Sequence, residues 1–166
     1  MSLSPSQFQR WVYEHGPSMY RLAYRLVGDQ HEAEDLVQDA FRSAWKSRES
    51  FDQARGERAW LTAILRRRVV DHWRREPHVN VVTADTPPEV SIPGIDPLAN
   101  DYTDEMQQAL GTLPLELKET LLLVVVAELT HQEAADLLKI PLGTVLSRVS
   151  RARARLREHL LANSKV

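Results

Sequence analysis

The chain has 166 residues, a hydrophobic fraction of 43% and a formal net charge of −2, which allows one medium domain or two small ones and excludes disorder throughout. It contains no cysteine, so disulfides and thiolate zinc sites are ruled out, a usage that fits a reducing cytoplasm. The histidines (His15, His31, His72, His78, His131, His159) lack paired metal spacing, the longest apolar run, 121–127, cannot span a bilayer, and the N-terminus has no apolar signal region; the expectation is a soluble protein that stays where it is made, with no metal, no cofactor and no membrane insertion.

Apolar positions recur at helical period, and Ala, Leu, Arg and Glu dominate most of the chain, which predicts an all-α fold. Phe8, Trp11 and Val12 begin a helical pattern that Met19, Tyr20, Leu22, Ala23, Leu26 and Val27 continue after Gly16-Pro17. Gly28-Asp29 breaks the chain, and Asp29 with Glu32 can cap a new helix over 30–48. Its stripe is Ala33, Leu36, Val37, Ala40, Phe41, Ala44 and Trp45; its other face carries Glu34, Asp35, Gln38, Asp39 and Arg42, which from pattern alone reads as a solvated acidic face.

Residues 50–58, SFDQARGER, form a polar loop bending at Gly56, followed by a helix over 60–75. Leu61, Ile64, Leu65, Val69 and His72 point one way, Arg67, Val70 and Arg74 the other, with Arg66 nearby. Asp71 lies four residues from both Arg67 and Arg75 and can pair locally. Trp60 and Trp73 read as core or edge packing. A basic helix with aromatics beside a flexible polar loop also has the composition of a single-strand-binding surface.

From Glu76 to Asn100 the character changes: Pro77, Pro87, Pro88, Pro93 and Pro97 fall here with acidic residues and no periodicity, so 77–100 reads as a linker. Helix resumes over 101–112, and 115–128, with its LLLVVVA run, should be the buried centre of a second domain. Two small helical domains are expected, 1–76 and 101–166. Between Glu76 and Gln108 there is no Lys or Arg, while basic charge gathers in 58–75 and 148–157. The near-neutral mean therefore conceals two basic patches, and for nucleic-acid binding the patch matters more.

The C-terminal stretch LTHQEAADLLKIPLGTVLSRVSRARARL, 129–156, is the most informative. Thr130 is an N-cap and Glu133 can close a capping box; Leu129, Ala134, Leu137 and Leu138 form a stripe; Lys139-Ile140-Pro141 interrupts, with Pro141 suited to start a new helix. In that helix Leu142, Val145, Val149, Ala152 and Leu156 would pack inward, whereas Thr144, Arg148, Arg151 and Arg155 form an adjacent hydroxyl and guanidinium stripe. A capped helix, a Pro-containing turn and a basic second helix constitute a helix-turn-helix shaped for a DNA major groove.

With these residues in view, the chain resembles the extracytoplasmic-function (group 4) sigma factors of bacterial RNA polymerase, over nearly its whole length. RLAYRLVGDQHEAEDLVQDAFRSAW, 21–45, looks like region 2.1–2.2, and AWLTAILRRRVVDHWRR, 59–75, like region 2.3–2.4; ALGTLP, 109–114, and 129–157 resemble region 4. The chain departs from the pattern at Arg67, where the family often has Asn, and at Leu146, where a basic residue is common.

The resemblance implies roles that the pattern does not. Glu34, Asp35, Leu36, Gln38 and Asp39 would dock on the clamp helices of the β′ subunit of core polymerase, with the β flap as a further contact of the enzyme. Phe51, Arg55 and Arg58, on the loop that captures a flipped base, and Arg66, Arg67, Arg74 and Arg75 would hold the −10 strand. Thr144, Ser147, Arg148, Ser150, Arg151 and Arg155 would read the −35 duplex. Core polymerase, promoter DNA and an anti-sigma factor, itself membrane-linked in many relatives, are the implied partners, in the cytoplasm and without a small-molecule substrate. The competing reading is a helix-turn-helix repressor or activator that binds duplex DNA without polymerase. An enzyme is disfavoured, because no carboxylate pair, nucleophile–base pair or phosphate loop is visible.

Overall fold

The computed structural model describes residues 3–75 and 103–163, and every regular element among them is helical. The chain divides into two compact units at Ile92 and Pro93. The linker expected at 77–100 lies outside the described residues.

The first unit contains α1 (Pro5–Val27), α2 (Gln30–Lys46), a 3₁₀ turn (Arg48–Ser50) and α3 (Glu57–Arg75). Ser4 caps α1, its hydroxyl accepting from the Gln7 N–H while the Gln7 side chain returns to the Ser4 N–H. The helix continues through Gly16-Pro17. Pro17 cannot donate to the Tyr13 carbonyl, but Tyr13 is highly exposed, so water can satisfy that group. Gly28, with φ 78°, ends α1 and donates to the Tyr24 carbonyl at 2.8 Å; glycine meets this left-handed geometry without strain. Asp29 then caps α2 by accepting the Glu32 N–H at 2.9 Å.

The three helices close around Leu22, Leu61, Leu65 and Val69, with Ala23, Ala33, Ala40 and Ala44 where the backbones approach. Each fully buried leucine contributes about 1.5–3 kcal/mol relative to exposure. The third helix begins at Glu57, three residues earlier than the pattern suggested, because Gly56 turns at φ 82° and its carbonyl accepts the Trp60 N–H at 3.2 Å.

The second unit contains α4 (Thr103–Gly111), α5 (Leu115–Val125), α6 (His131–Leu138) and α7 (Leu142–Asn163). As expected, α5 supplies the centre: Leu117, Leu121, Leu122 and Leu123 are buried beside Ala109, Leu110 and Leu113. It packs mainly on α7. Glu128, with φ 58°, reverses the chain after α5 and ends the helical run before 128.

Candidate nucleic-acid interface

Local chemistry builds the helix-turn-helix of the second unit. The Thr130 hydroxyl accepts the Glu133 N–H at 3.0 Å, and the Glu133 carboxylate accepts the Thr130 N–H at 2.9 Å. Lys139 then takes a left-handed conformation, φ 57° and ψ 45°, closing α6, and Ile140 donates to the Ala135 carbonyl at 3.1 Å. The carbonyl of Pro141 accepts from Thr144 at 3.0 Å and Val145 at 3.2 Å, launching α7.

Val145, Val149 and Ala152 are the buried side of α7, against Ala134 and Ala135 of α6 and the α5 core. Leu142 corrects the sequence reading: it is 41% exposed. It lies about 60° around the helix from Val145, in the first turn, and does not join the inward stripe. Leu156 is half-buried.

The six α7 residues assigned to DNA are differently placed. Ser150, Arg151 and Arg155 are exposed, and Thr144 and Ser147 half-exposed. Arg148 lies against the unit, its side chain 23% exposed and its Nη2 3.7 Å from Glu116 Oε2 on α5. The sequence gives no hint of this pair, because Glu116 is far along the chain and in another element.

In the first unit α2 turns Asp35, Gln38 and Asp39 outward, with Glu34 half-exposed. Leu36 is 7% exposed, so it supports this face from beneath and offers no contact area. Asp39 pairs with Arg42 at 3.1 Å. Asp35 and Asp39 also line a cavity of about 300 Å³ between α2 and α3, with Glu32, Arg68, Asp71, His72 and Arg75. His72 Nε2 is 3.2 Å from Glu32 Oε2, and the Arg68 guanidinium donates to the Ser43 hydroxyl. Both bonds lock α3 to α2, and sequence reasoning assigned neither. Tyr20 on α1 has its phenol pushed up to about 12, first by burial and then by the nearby Glu34 carboxylate, Tyr24 and Asp29.

The loop following the 3₁₀ turn is anchored by aromatics. Phe51 meets Trp11 edge-on at 4.9 Å between ring centroids and Trp60 at 5.2 Å. Phe51 is half-buried, and these two contacts anchor the loop to α1 and α3. Trp60 is buried, as the core reading required. The loop turns on Asp52, whose carboxylate accepts from Ala54 at 3.0 Å and whose carbonyl accepts from Arg55 at 3.1 Å. Arg55, Arg58, Arg67, Arg74 and Arg75 are exposed and Arg66 is half-buried. Arg67 and Arg74, seven residues apart, share one face of α3.

His15 on α1 is buried, and its Nε2 lies 3.0 Å from Glu57 Oε1 at the start of α3. Glu14 lies close enough that the three side chains could surround an ion. The pair already has a structural use, however: it ties α1 to α3 next to Gly56.

The Sigma-70 region 2 family model matches residues 11–78, and the Sigma-70 region 4 model matches residues 103–156. The ECF RNA polymerase sigma factor SigE of Mycolicibacterium smegmatis is 33% identical over 159 residues; the match covers 92% of this chain, which spans 61% of that longer protein. SigW of Bacillus subtilis, also an ECF RNA polymerase sigma factor, is 30% identical over 154 residues, covering 86% of this chain and 82% of SigW. Among solved structures, the sigma factor RpoE of Bartonella quintana, crystallised with the anti-sigma factor NepR, superposes with a TM-score of 0.75 at 31% identity, covering 93% of this chain and 97% of that one. CnrH, solved with the cytosolic domain of CnrY, shares the fold at a TM-score of 0.73 and 24% identity, over 98% and 92% of the respective chains. A region 2 unit followed by a region 4 unit, with such relatives, places this chain in the sigma-70 family, among the ECF RNA polymerase sigma factors.

Proposed function

We propose that the chain gives a bacterial core RNA polymerase its promoter choice, and that it does so through three surfaces. The observation that carries this reading is that an outward acidic face on α2, exposed arginines on α3 and an exposed serine–arginine face on α7 occur in one chain.

Asp35, Gln38, Asp39 and half-exposed Glu34 would dock on basic side chains of the β′ clamp helices, with the β flap as a second contact; Leu36 keeps the face in shape. Arg55, Arg58, Arg66, Arg67, Arg74 and Arg75 would hold the −10 strand. Unstacking a base costs a few kcal/mol, and capture of the extruded base offsets it. Phe51 contributes by holding the loop. Ser147, Ser150, Arg151 and Arg155 would read or grip the −35 duplex, where a good bidentate base contact is worth about 1–3 kcal/mol. Thr144, half-exposed like Ser147, shares the stripe of Arg151 and Arg155, and Arg148 stands at its edge.

The domain bounds 1–76 and 101–166, with a connecting 77–100, belong to the same proposal, as do a cytoplasmic location and a mechanism without covalent chemistry. Among the described residues no helix is long and apolar enough to cross a membrane. Since RpoE was crystallised with an anti-sigma factor, we extend to this chain a partner of that type that masks its polymerase-facing surfaces.

Run-off transcription with purified core polymerase on sheared genomic DNA from the source organism tests the whole. Discrete transcripts that require the protein are expected. No transcripts, together with a shift of duplex DNA by the protein alone, would transfer the chain to the repressor class.

A further inference from the structure

Both ends of the loop between the 3₁₀ turn and α3 are fastened to α1. Trp11 and His15 lie four residues apart, so they share one face of that helix, and both are buried. At the near end, Phe51 meets the Trp11 ring at 4.9 Å between centroids, and both rings meet Trp60 edge-on, at 5.2 and 6.3 Å. At the far end, His15 Nε2 lies 3.0 Å from Glu57 Oε1, with the histidine side chain 9% exposed and the glutamate side chain 37%. Residues 52–55 between these points are exposed, and Gly56, at φ 82°, turns the chain into α3. A buried imidazole needs a hydrogen bond to offset its desolvation, and here the partner is the residue at which the loop ends. A loop pinned at both ends samples fewer conformations, so part of the ordering that binding would demand is already met on folding.

We propose that His15 and Glu57 are positioning residues for the −10 strand. Their bond, working with the Trp11–Phe51 contact, sets loop 51–56 in the shape that receives an extruded base, and neither residue touches DNA. This rests on the reading that the loop captures a base of the −10 strand. Arg58 follows Glu57 directly, so the same bond also sets the first turn of α3, which carries that arginine.

The test uses holoenzyme assembled from the full chain and core polymerase, on a promoter it transcribes, with an abasic site replacing each −10 non-template nucleotide in turn. Affinities are referred to assembled holoenzyme. Wild-type holoenzyme should lose affinity at one position, that of the captured base. Glu57→Ala removes the bond from its exposed side and spares the buried histidine. It should bind the intact promoter about fivefold more weakly, the net effect of one hydrogen bond. On the template abasic at the captured position it should match the wild type, because there the loop has no base to receive. Glu57→Gln, whose amide oxygen can still accept from His15, should recover most of the loss. A fivefold loss that persists on the abasic template would mean the bond acts through general stability, and would overturn the assignment. Intact-promoter affinity of Glu57→Ala equal to that of the wild type overturns it as well. If no abasic replacement weakens the wild type, the base-capture reading fails and this assignment with it.

Discussion

Arg148 Nη2 lies 3.7 Å from Glu116 Oε2, so the helix carrying the serine–arginine face is tied to the first turn of α5. The glutamate is 76% exposed, and a pair of this kind contributes about 0–1 kcal/mol to stability. If α7 enters DNA as proposed, its larger effect would be there: the carboxylate would neutralise a guanidinium that a phosphate would otherwise engage. Glu116→Gln should leave unfolding within about 0.5 kcal/mol of the wild type and tighten promoter binding by the holoenzyme. Arg148→Ala should weaken it and reduce the slope of log affinity against log salt by about one, as loss of one phosphate contact does. Salt-dependent binding isotherms of the two variants check both signs.

His15 and Glu57 join α1 to α3 at 3.0 Å across 42 residues of sequence. His15→Ala removes the bond and opens space at a buried site, and should cost the first unit about 1–3 kcal/mol. Glu57 is only half-buried, so Glu57→Gln, which keeps a hydrogen-bonding amide, should cost less. Because the pair borders Gly56, His15→Ala should also loosen loop 51–56, read as faster amide exchange there. Denaturant melts followed by fluorescence of the nearby Trp11 and Trp60 supply the energies.

The helices were legible in the sequence wherever the signal was local. The Thr130–Glu133 capping box, the Asp29 cap, the Gly28 and Gly56 bends and the stripes of α2 and α3 each depend on neighbours within about four residues, and each forms as the spacing indicates. The errors came where two elements meet. Leu142 fits an inward spacing, yet nothing in the sequence says how far the α5 and α6 layer reaches along α7. Phe51 sits in a polar loop, and local spacing does not show its edge-on contacts with Trp11, forty residues earlier, and with Trp60. Nor does the spacing say that Arg68 is spent on the fold, where it donates to Ser43 on α2.

Tyr20 provides a pH prediction. Its phenol is raised from the usual 10 to about 12, mainly by burial, with Glu34, Tyr24 and Asp29 adding to the effect. A raised phenol favours the protonated side chain in the folded state. Between about pH 10 and pH 12 the unfolded chain releases this proton while the folded chain keeps it. The contribution is therefore fully present below pH 10 and lost as pH rises toward 12. An alkaline spectrophotometric titration should show Tyr20 ionising late, and Tyr20→Phe should remove that contribution. Glu34→Gln should move it down toward 10, less than full exposure would, because burial is the larger cause.

Asp35 and Asp39 project from one side of α2, four residues apart, above a buried Leu36. Neither position carries the fold, so reversing a charge there should leave the unfolding transition within about 0.5 kcal/mol. Docking is a different matter. A basic partner surface that gains from both carboxylates meets a like charge in Asp35→Arg, and like-charge juxtaposition at an interface costs several kcal/mol. Asp35→Arg should therefore abolish assembly with core polymerase, whereas Asp35→Asn should weaken it by a smaller factor. Asp39 already shares its charge with Arg42 at 3.1 Å, so Asp39→Asn should matter less than Asp35→Asn. Quantitative pull-down with core polymerase ranks the three variants. An undiminished holoenzyme with Asp35→Arg would move the docking surface off α2, leaving the α3 and α7 assignments to be judged on their own DNA measurements.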